Sequence, residues 1–287
     1  MTENCNTCES KERSELFKIG EHRIVKCGEC NLVYIENPMT PQQAKNHYEV
    51  EYYTGENGVA STSCYGSGED FRIKEANRRI AGISGAKSLL DVGCGMGFFI
   101  KAANERGINA KGIDLSQNAV DYGRSQGLDL TQGDLLNMNG LESQSFDVIT
   151  FWASLEHLYK PRETLKKAYE LLAPNGIIIV ETGDVDSYLS RLTKNKWRLL
   201  QPDHNFYFSS KTLDDVLGRV GFDVFKTEND GFVESIVTQF GLRNFVLNQF
   251  SKGSSISKRK SSSLKEIINT SAGKLQLGDV MIKHARK

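Results

Sequence analysis

A glycine-rich turn constrains the fold of this chain more than any other segment. It reads Asp91-Val-Gly-Cys-Gly-Met-Gly97, and it lies between an apolar run at 88–92 that predicts a buried strand and a helical pattern that begins at Phe98. Glycines at alternate positions let a ligand approach the main chain without interference from side chains. The first N–H groups of the following helix have no partners inside the helix, so the turn is suited to a nucleotide-containing cofactor.

Strands and helices alternate regularly around this turn. The patterns predict helices at 69–83, 98–105, 161–172 and 209–220, and strands at 88–92, 110–114, 130–134, 146–151, 177–180, 223–226 and 279–283. This alternation is typical of a mainly parallel sheet covered by helices on both faces. The sequence therefore predicts an α/β fold, a doubly wound, mainly parallel, seven-stranded Rossmann-like sheet over residues 69–287, interrupted by a helical and basic insertion at 232–276.

The spacing of the glycines separates two classes of cofactor. A dinucleotide-binding turn, G-x-G-x-x-G, would need its third glycine at position 98, where this chain has Phe98. Asp114 and Asp134 follow at the predicted C-terminal ends of the next two strands, where open α/β sheets bind ligands. The first carboxylate could accept both hydroxyls of a ribose and the second an adenine amino group. Either could instead cap the helix that follows its strand.

The rhythm of the turn, with Asp91 two residues before the first glycine, resembles motif I of the class I S-adenosylmethionine (SAM) methyltransferases. Residues 151–158 are similar to the segment after the fourth strand in that family, and residues 161–176 to its next helix and L-x-P-x-G turn. The resemblance implies an enzyme that binds SAM. It implies these cofactor-binding residues: Asp91, Gly93, Gly95, Gly97, Asp114, Leu115, Asp134, Leu135 and Phe151.

Four cysteines near the N-terminus form two pairs, Cys5-x2-Cys8 and Cys27-x2-Cys30, with eighteen residues between the pairs. This spacing predicts a site in which four thiolates bind a structural zinc ion with no open position for chemistry. Two disulfides are the alternative, which an intracellular compartment disfavours. With short strands predicted around the second pair, residues 1–37 are expected to be a zinc ribbon. A ribbon before this domain resembles enzymes that methylate small molecules and sugars, including sugar-nucleotide C-methyltransferases.

Residues 38–68 are expected to connect the two parts as a helix that starts at Thr40-Pro41 and a mobile Gly/Ser-rich loop over the active site. Aromatic residues there and in the loop 197–208 could contact an acceptor, with ordinary packing as the alternative. These candidate substrate-binding residues are Tyr48, Tyr53, Trp197 and Tyr207.

Two histidines are candidates for a general base, because imidazole titrates near neutral pH. His204 lies in the aromatic-rich loop after the fifth strand, which could cover the substrate and exclude water. His157 comes just after the fourth strand, beside the expected methyl donor. We expect His204 to be the base and His157 to be the second candidate. A hydrogen-bonded histidine that steadies the loop is the alternative for the first, and a cofactor-pocket role for the second.

Charge and hydropathy exclude several function classes. Lys plus Arg and Asp plus Glu are both 36, so the net charge is zero and a nucleic-acid partner is disfavoured. No apolar run approaches the roughly 18 residues of a membrane span, and the N-terminus lacks a secretory signal, so a cytoplasmic protein is expected. Residues 251–287 carry nine basic and two acidic residues. A helical insertion with a solvated surface loop is expected at 232–276, and contact of 251–265 with an anionic membrane is the alternative.

Three functions remain to be compared. The first is SAM-dependent methyl transfer to O or C of a small-molecule acceptor, such as a sugar, sugar nucleotide or phenol. The second is methylation of a ribosomal RNA base, with the ribbon binding RNA; the segment Phe151-Trp-Ala-Ser154 differs from the Asn/Asp-Pro-Pro-Tyr of many such enzymes. The third is a binding module without catalysis, which the acids at 91, 114 and 134 disfavour.

Overall fold

The computed structural model describes residues 4–40, 42–44, 69–230 and 278–287. Its N-terminal part is an antiparallel meander of β1 (Arg13–Ile19), β2 (His22–Cys27) and β3 (Val33–Ile35). The short strands predicted around the second cysteine pair are confirmed. The meander brings the two pairs together, because β1 and β2 pair Arg13 with Cys27 at the end that bears the cysteines.

The rest of the described chain builds a seven-stranded sheet. Its strands are β4 (Ser88–Val92), β5 (Asn109–Asp114), β6 (Leu130–Gln132), β7 (Phe146–Trp152), β8 (Leu172–Gly183), β10 (Asp223–Asp230) and β11 (Val280–Arg286), while β9 (Phe206–Tyr207) joins the N-terminal meander. The order across the large sheet is β10-β11-β8-β7-β4-β5-β6. The pairs from β6 to β8 are parallel, and β11 runs antiparallel to both of its neighbours. The predicted mainly parallel, seven-stranded sheet is confirmed.

Helices cover both faces of this sheet, as a doubly wound fold requires. They are α1 (Glu69–Ala81), α2 (Phe98–Asn104), α3 (Gln117–Ser125), α4 (Pro161–Leu171), α5 (Tyr188–Thr193) and α6 (Ser210–Val220). One apolar core contains residues of α1, α2 and α3, and another contains residues of α4 and α6. Local signals set the ends of α6: Ser209 forms a capping box with Thr212, and Gly221 ends the helix in the left-handed conformation.

The N-terminal meander shares its core with the large domain. Cys5, Cys27, Leu32 and Tyr34 are buried in the same apolar cluster as residues of β4, β7, α4 and α6. A smaller cluster joins Ile24, Val33 and Ile35 of the meander to Trp197, Leu199 and Tyr207. Strands β2 and β3 of the meander are therefore packed against the domain.

Three local features differ from the predicted pattern. The sequence predicts this strand from Ile177, whereas β8 begins at Leu172. Residues 174–176 therefore lie within the strand. They fall at a register shift between the pairs Phe146–Leu172 and Val148–Ile177. Helix α5 was not predicted because it is only six residues long. Strand β9 was not predicted because its pairing partner, β3, is distant in the sequence.

Several predicted features lie outside the described residues. They are Tyr48, Tyr53, most of the helix and loop at 38–68, and the insertion 232–276 with its basic segment 251–265. The start of the predicted helix is described: Gln43 N donates to Thr40 Oγ1 at 3.3 Å, as a helix cap does. Among the described residues, no helix is long and apolar enough to cross a bilayer.

Candidate functional site

The glycine turn at the C-terminal end of β4 requires glycine at two positions. Gly93 and Gly97 both have a φ of 82°, which L side chains rarely adopt. A Cβ on Gly93 would lie 2.4 Å from Ser154 Cβ, and one on Gly97 would lie 2.7 Å from Leu128 Cδ1. Ser154 in turn donates to Val92 O at 2.5 Å. The turn is therefore packed directly on the segment that follows β7.

Asp114 at the end of β5 is bound to the middle of this turn. Its Oδ2 accepts a hydrogen bond from Gly95 N at 2.7 Å, and its Oδ1 accepts one from Ser116 N at 2.9 Å. Two main-chain donors therefore fix the orientation of the carboxylate, and each oxygen can accept a further hydrogen bond. The next residue, Leu115, is 42% exposed, which leaves an apolar surface beside the carboxylate.

The third strand of the predicted site ends in a cap. Asp134 Oδ1 accepts from Leu136 N at 3.1 Å and starts the short 3-10 turn Leu135–Asn137, the alternative role that the sequence left open. The side chains of Leu135 and Phe151 are buried in the apolar core beneath the strand ends. The structure thus brings Asp114 to the glycine turn, while these two apolar residues belong to the core.

Asp91 is buried at the base of the site. Thr150 Oγ1 donates to Asp91 Oδ1 at 2.7 Å and so ties β4 to β7. Burial in a low-dielectric environment raises the pKa of Asp91 to about 7, despite the opposing effect of the Thr150 hydrogen bond. Asp91 therefore contacts the sheet beneath the glycine turn.

One positive charge beside the turn was not predicted from the sequence. Arg72 of α1 has Nη1 3.6 Å from Met96 Sδ, and its guanidinium lies 5.9 Å from the centre of the Phe98 ring. The position of Arg72 depends on how α1 packs beside α2. Nothing in the helical pattern of α1 distinguishes it from the other basic residues there.

The two candidate bases lie together. The ring centres of His157 and His204 are 4.6 Å apart, at an angle of 87°. His157 Nδ1 lies 3.0 Å from Asp203 O and 3.6 Å from Asp203 Oδ2, and the side chain of His157 is 21% exposed. The pairing with Asp203 was not predicted, because no sequence pattern links residues 46 positions apart.

His204 differs from His157 in its burial. Its side chain is almost fully buried, and this burial, with a further effect from His157, lowers the pKa of His204 to about 3. The ring is therefore neutral at physiological pH. Glu156 beside this pair is also buried, which raises its pKa, and its Oε2 has no hydrogen-bond partner among the described residues.

Two groups of side chains in the described parts could hold a metal ion. The four thiols of Cys5, Cys8, Cys27 and Cys30 are free, and their sulfurs lie within 4.8 Å of one another. Sulfurs about 3.8 Å apart are expected for tetrahedral zinc. Cys5 Sγ and Cys30 Sγ, and likewise Cys8 Sγ and Cys27 Sγ, are 3.5 Å apart, so the cluster fits that ion. The second group is Glu156, His157 and His204, within the same limit.

Two of the predicted substrate-binding aromatic residues are buried between the meander and the domain. Trp197 Nε1 donates to Asp279 Oδ2 at 2.8 Å, and the Tyr207 hydroxyl donates to Gln201 O at 2.7 Å. Both side chains are 3% exposed. Their contacts are those of packing, the alternative given for the aromatic candidates, and their role toward an acceptor stays a prediction.

A family model described as a methyltransferase domain matches residues 70–227, more than half of the chain. The chain belongs to the SAM-dependent methyltransferases. The matched region of this methyltransferase includes the glycine turn, Asp114, Asp134 and both histidines of the site.

Known proteins similar to this methyltransferase include a ubiquinone biosynthesis O-methyltransferase of Actinobacillus pleuropneumoniae, which is 30% identical over 39% of this chain and 51% of that protein. The match thus spans about half the length of this curated relative. A SAM-dependent methyltransferase from Archaeoglobus fulgidus is 20% identical over 77% of this chain and 95% of that chain, with a TM-score of 0.55.

A phosphoethanolamine N-methyltransferase 2 of Haemonchus contortus, solved in complex with SAM, covers 96% of this methyltransferase and 71% of its own chain. It is 15% identical, with a TM-score of 0.54. At these identities the two solved structures show a common fold and no more, since one fold supports many acceptors.

Proposed function

We propose that this methyltransferase transfers a methyl group from SAM to a hydroxyl oxygen of a small molecule, most readily a phenol. The observation that carries the proposal is the His157–Asp203 pair, which follows Ser154, the residue in contact with the glycine turn. A base is useful for a hydroxyl acceptor, whose proton must leave. The O-methyltransferase names of the curated relatives support the same chemistry. A sugar or sugar-nucleotide acceptor, and carbon as the methylated atom, are variants that the experiment below separates.

The residues around the glycine turn would bind the cofactor in this proposal. The main chain of the turn at Gly93, Gly95 and Gly97 would contact it, and Asp114 would accept the ribose hydroxyls while it holds Gly95. Leu115 offers an apolar surface for the adenine, with Asp134 near its amino group. Arg72 would pair with the carboxylate of SAM, because a cation beside the turn complements that charge.

The chain's own residues would contribute position and one proton transfer. Bound SAM supplies an electrophilic methyl group on a sulfonium, whose transfer is an in-line displacement that depends on alignment. His157 would remove the hydroxyl proton as the oxygen attacks, and Asp203 would hold the ring and stabilise its positive charge. His157 is favoured over His204 because a group with a pKa of about 3 is a weak base at neutral pH.

The four-cysteine cluster would hold a structural zinc ion. Four thiolates close the coordination sphere, so the metal contributes to folding and leaves no position for an acceptor. The hydrogen bond between Cys5 and Cys30 lowers the pKa of Cys5 and raises that of Cys30, as expected for two neighbouring thiols that share one proton.

The test is a transfer assay with labelled SAM over a panel of acceptors: a catechol, a monophenol, a nucleotide sugar and ribosomal RNA fragments. We expect label on a phenolic oxygen, identified by mass spectrometry of the product. Transfer to RNA alone, with a strong decrease in added salt, would replace this proposal with the RNA alternative. Transfer to carbon or to a sugar would correct the acceptor. The proposal fails entirely if no acceptor is methylated and SAM does not bind.

A further inference from the structure

The cysteine ribbon and the segment that contains His204 form one sheet. The two residues of β9 pair with β3 of the ribbon, with Val33 opposite Tyr207 and Tyr34 opposite Phe206. Ile35 N extends this pairing by donating to Asn205 O at 2.9 Å. The chain therefore enters β9 two residues after His204. This strand is the fourth of the ribbon sheet, whose order is β1-β2-β3-β9.

Two asparagines connect the ribbon to the turn that bears His157. Asn205 is 5% exposed, and its Nδ2 donates to His157 O at 2.7 Å and to Leu158 O at 3.4 Å. Asn6 lies between Cys5 and Cys8, and its Nδ2 donates to Tyr159 O at 3.1 Å. Carbonyls of residues 157–159 thus accept hydrogen bonds from Asn6, between the first pair of cysteines, and from Asn205, next to β9 of the ribbon sheet.

The hydrogen bonds within this turn are at the long end of the usual range. His157 N donates to Ser154 O at 3.2 Å, and Leu158 N donates to Leu155 O at 3.3 Å. The glycine turn is held differently, from within the large sheet. Gly93 N and Cys94 N donate to Ile113 O, and Gly95 N donates to Asp114.

We propose that the four-cysteine ribbon is a positioning element for the acceptor side of the site, with Asn6 and Asn205 as its positioning residues. A metal ion that fixes the knuckle keeps Asn6 on the 157–159 segment, and the ribbon sheet keeps Asn205 there. Loss of the metal then loosens His157 and leaves the cofactor side in place. This inference rests on the proposed function for the role of His157 and of the metal, and its physical claim is testable without an acceptor.

The test is hydrogen–deuterium exchange on the full-length protein, with and without a zinc chelator, and on the variants Asn205→Ala and Asn6→Ala. We expect amides of residues 155–159 to exchange about tenfold faster in all three cases, as the loss of a buried hydrogen bond predicts. Amides of residues 93–104 should exchange at the rate of the untreated protein. If Asn205→Ala does not fold, Asn6→Ala and the chelated protein make the same comparison.

Asn37→Ala is the matched control, because the side chain of this ribbon asparagine bonds within the ribbon. Its Oδ1 accepts from Arg23 N, and its Nδ2 donates to Glu21 O. It should leave residues 155–159 unchanged. The nuclear Overhauser effect between the His157 and His204 rings should also weaken in Asn205→Ala and persist in Asn37→Ala. Faster exchange confined to residues 4–36, or an equal effect in Asn37→Ala, would overturn the inference.

Calorimetry with SAM separates this inference from the proposed function. Chelated protein and Asn205→Ala should bind SAM within about twofold of the untreated protein, since the bonds of the glycine turn are intact. A wild-type protein that binds no SAM would refute the proposed function, and the exchange result would stand by itself. Parallel loss of SAM affinity in Asn205→Ala would mean a general loss of structure and would overturn the positioning role.

Discussion

The two sides of the site are built in different ways. The proposed cofactor side consists of the glycine turn and Asp114, whose contacts join neighbouring strands of one sheet through main-chain groups. The proposed acceptor side consists of His157, Asp203 and His204, which come from two loops; Asn205, next to the strand that pairs with the ribbon, donates to His157 O. Local geometry within one sheet therefore sets the first group of residues, whereas long-range packing sets the second.

The largest effect is expected from the base. His157→Gln should lower kcat by about 100-fold or more, the usual contribution of a general base, with little change in the dissociation constant of SAM. His204→Gln should lower kcat much less, because the buried neutral ring packs against His157. Steady-state kinetics with the best acceptor of the panel make the comparison. A greater loss in His204→Gln would return the role of base to His204, as the sequence predicts.

A second large effect is expected on the cofactor side. Asp114→Ala should weaken SAM binding by about 100-fold, because it removes charge-assisted bonds to the ribose together with the anchors of Gly95 and Ser116. Asp129→Ala is the control, since this aspartate is exposed and lies just before β6. Calorimetry measures both, and an unchanged affinity in Asp114→Ala would remove this residue from the site.

Loss of one cysteine of the proposed zinc site should affect stability more than cofactor affinity. Cys30→Ser should lower the zinc content, measured by mass spectrometry, and reduce the unfolding temperature by about 5 °C or more. Glu29→Ala in the same knuckle should change neither, because its side chain is exposed. A wild-type chain purified without zinc, and unaffected by adding it, would argue against the metal.

The last prediction concerns the pH dependence of stability alone, through Asp91, which lies beneath the glycine turn. Its pKa is raised from 3.8 to about 7 in the folded protein, so the folded state binds more protons than the unfolded state between these values. The resulting stabilisation is complete below about pH 4 and is lost as the pH rises through 7, with a slope of at most about 1.4 kcal/mol per pH unit. Asp91→Asn should flatten this part of the curve, measured by urea unfolding at several pH values.

The sequence predicts the part of the molecule around the glycine turn better than the part around the two histidines. The large sheet, its helices and the association of Gly95 with Asp114 were predictable, because regular alternation and strand ends place these groups at one edge of the sheet. The cysteine pairs were predictable as a cluster for a similar reason, since their spacing matches one metal geometry. Each of these signals lies within a short stretch of sequence.

The acceptor side could not be predicted to the same extent. The pair His157–Asp203 and the bonds of Asn6 and Asn205 join residues that are 46 to 153 positions apart. Strand β9 has two residues and exists because β3 is beside it, so no local pattern marks it. The burial that lowers the pKa of His204 arises from the same packing, which is why the sequence favours His204 as the base and the proposed function favours His157.

A crystal structure of the complex with SAM tests the central claim most directly. We expect ribose hydroxyls within hydrogen-bond distance of the Asp114 carboxylate and a methyl group that faces the acceptor side, toward His157. A cofactor bound away from the glycine turn, or a methyl group directed away from His157, would contradict it.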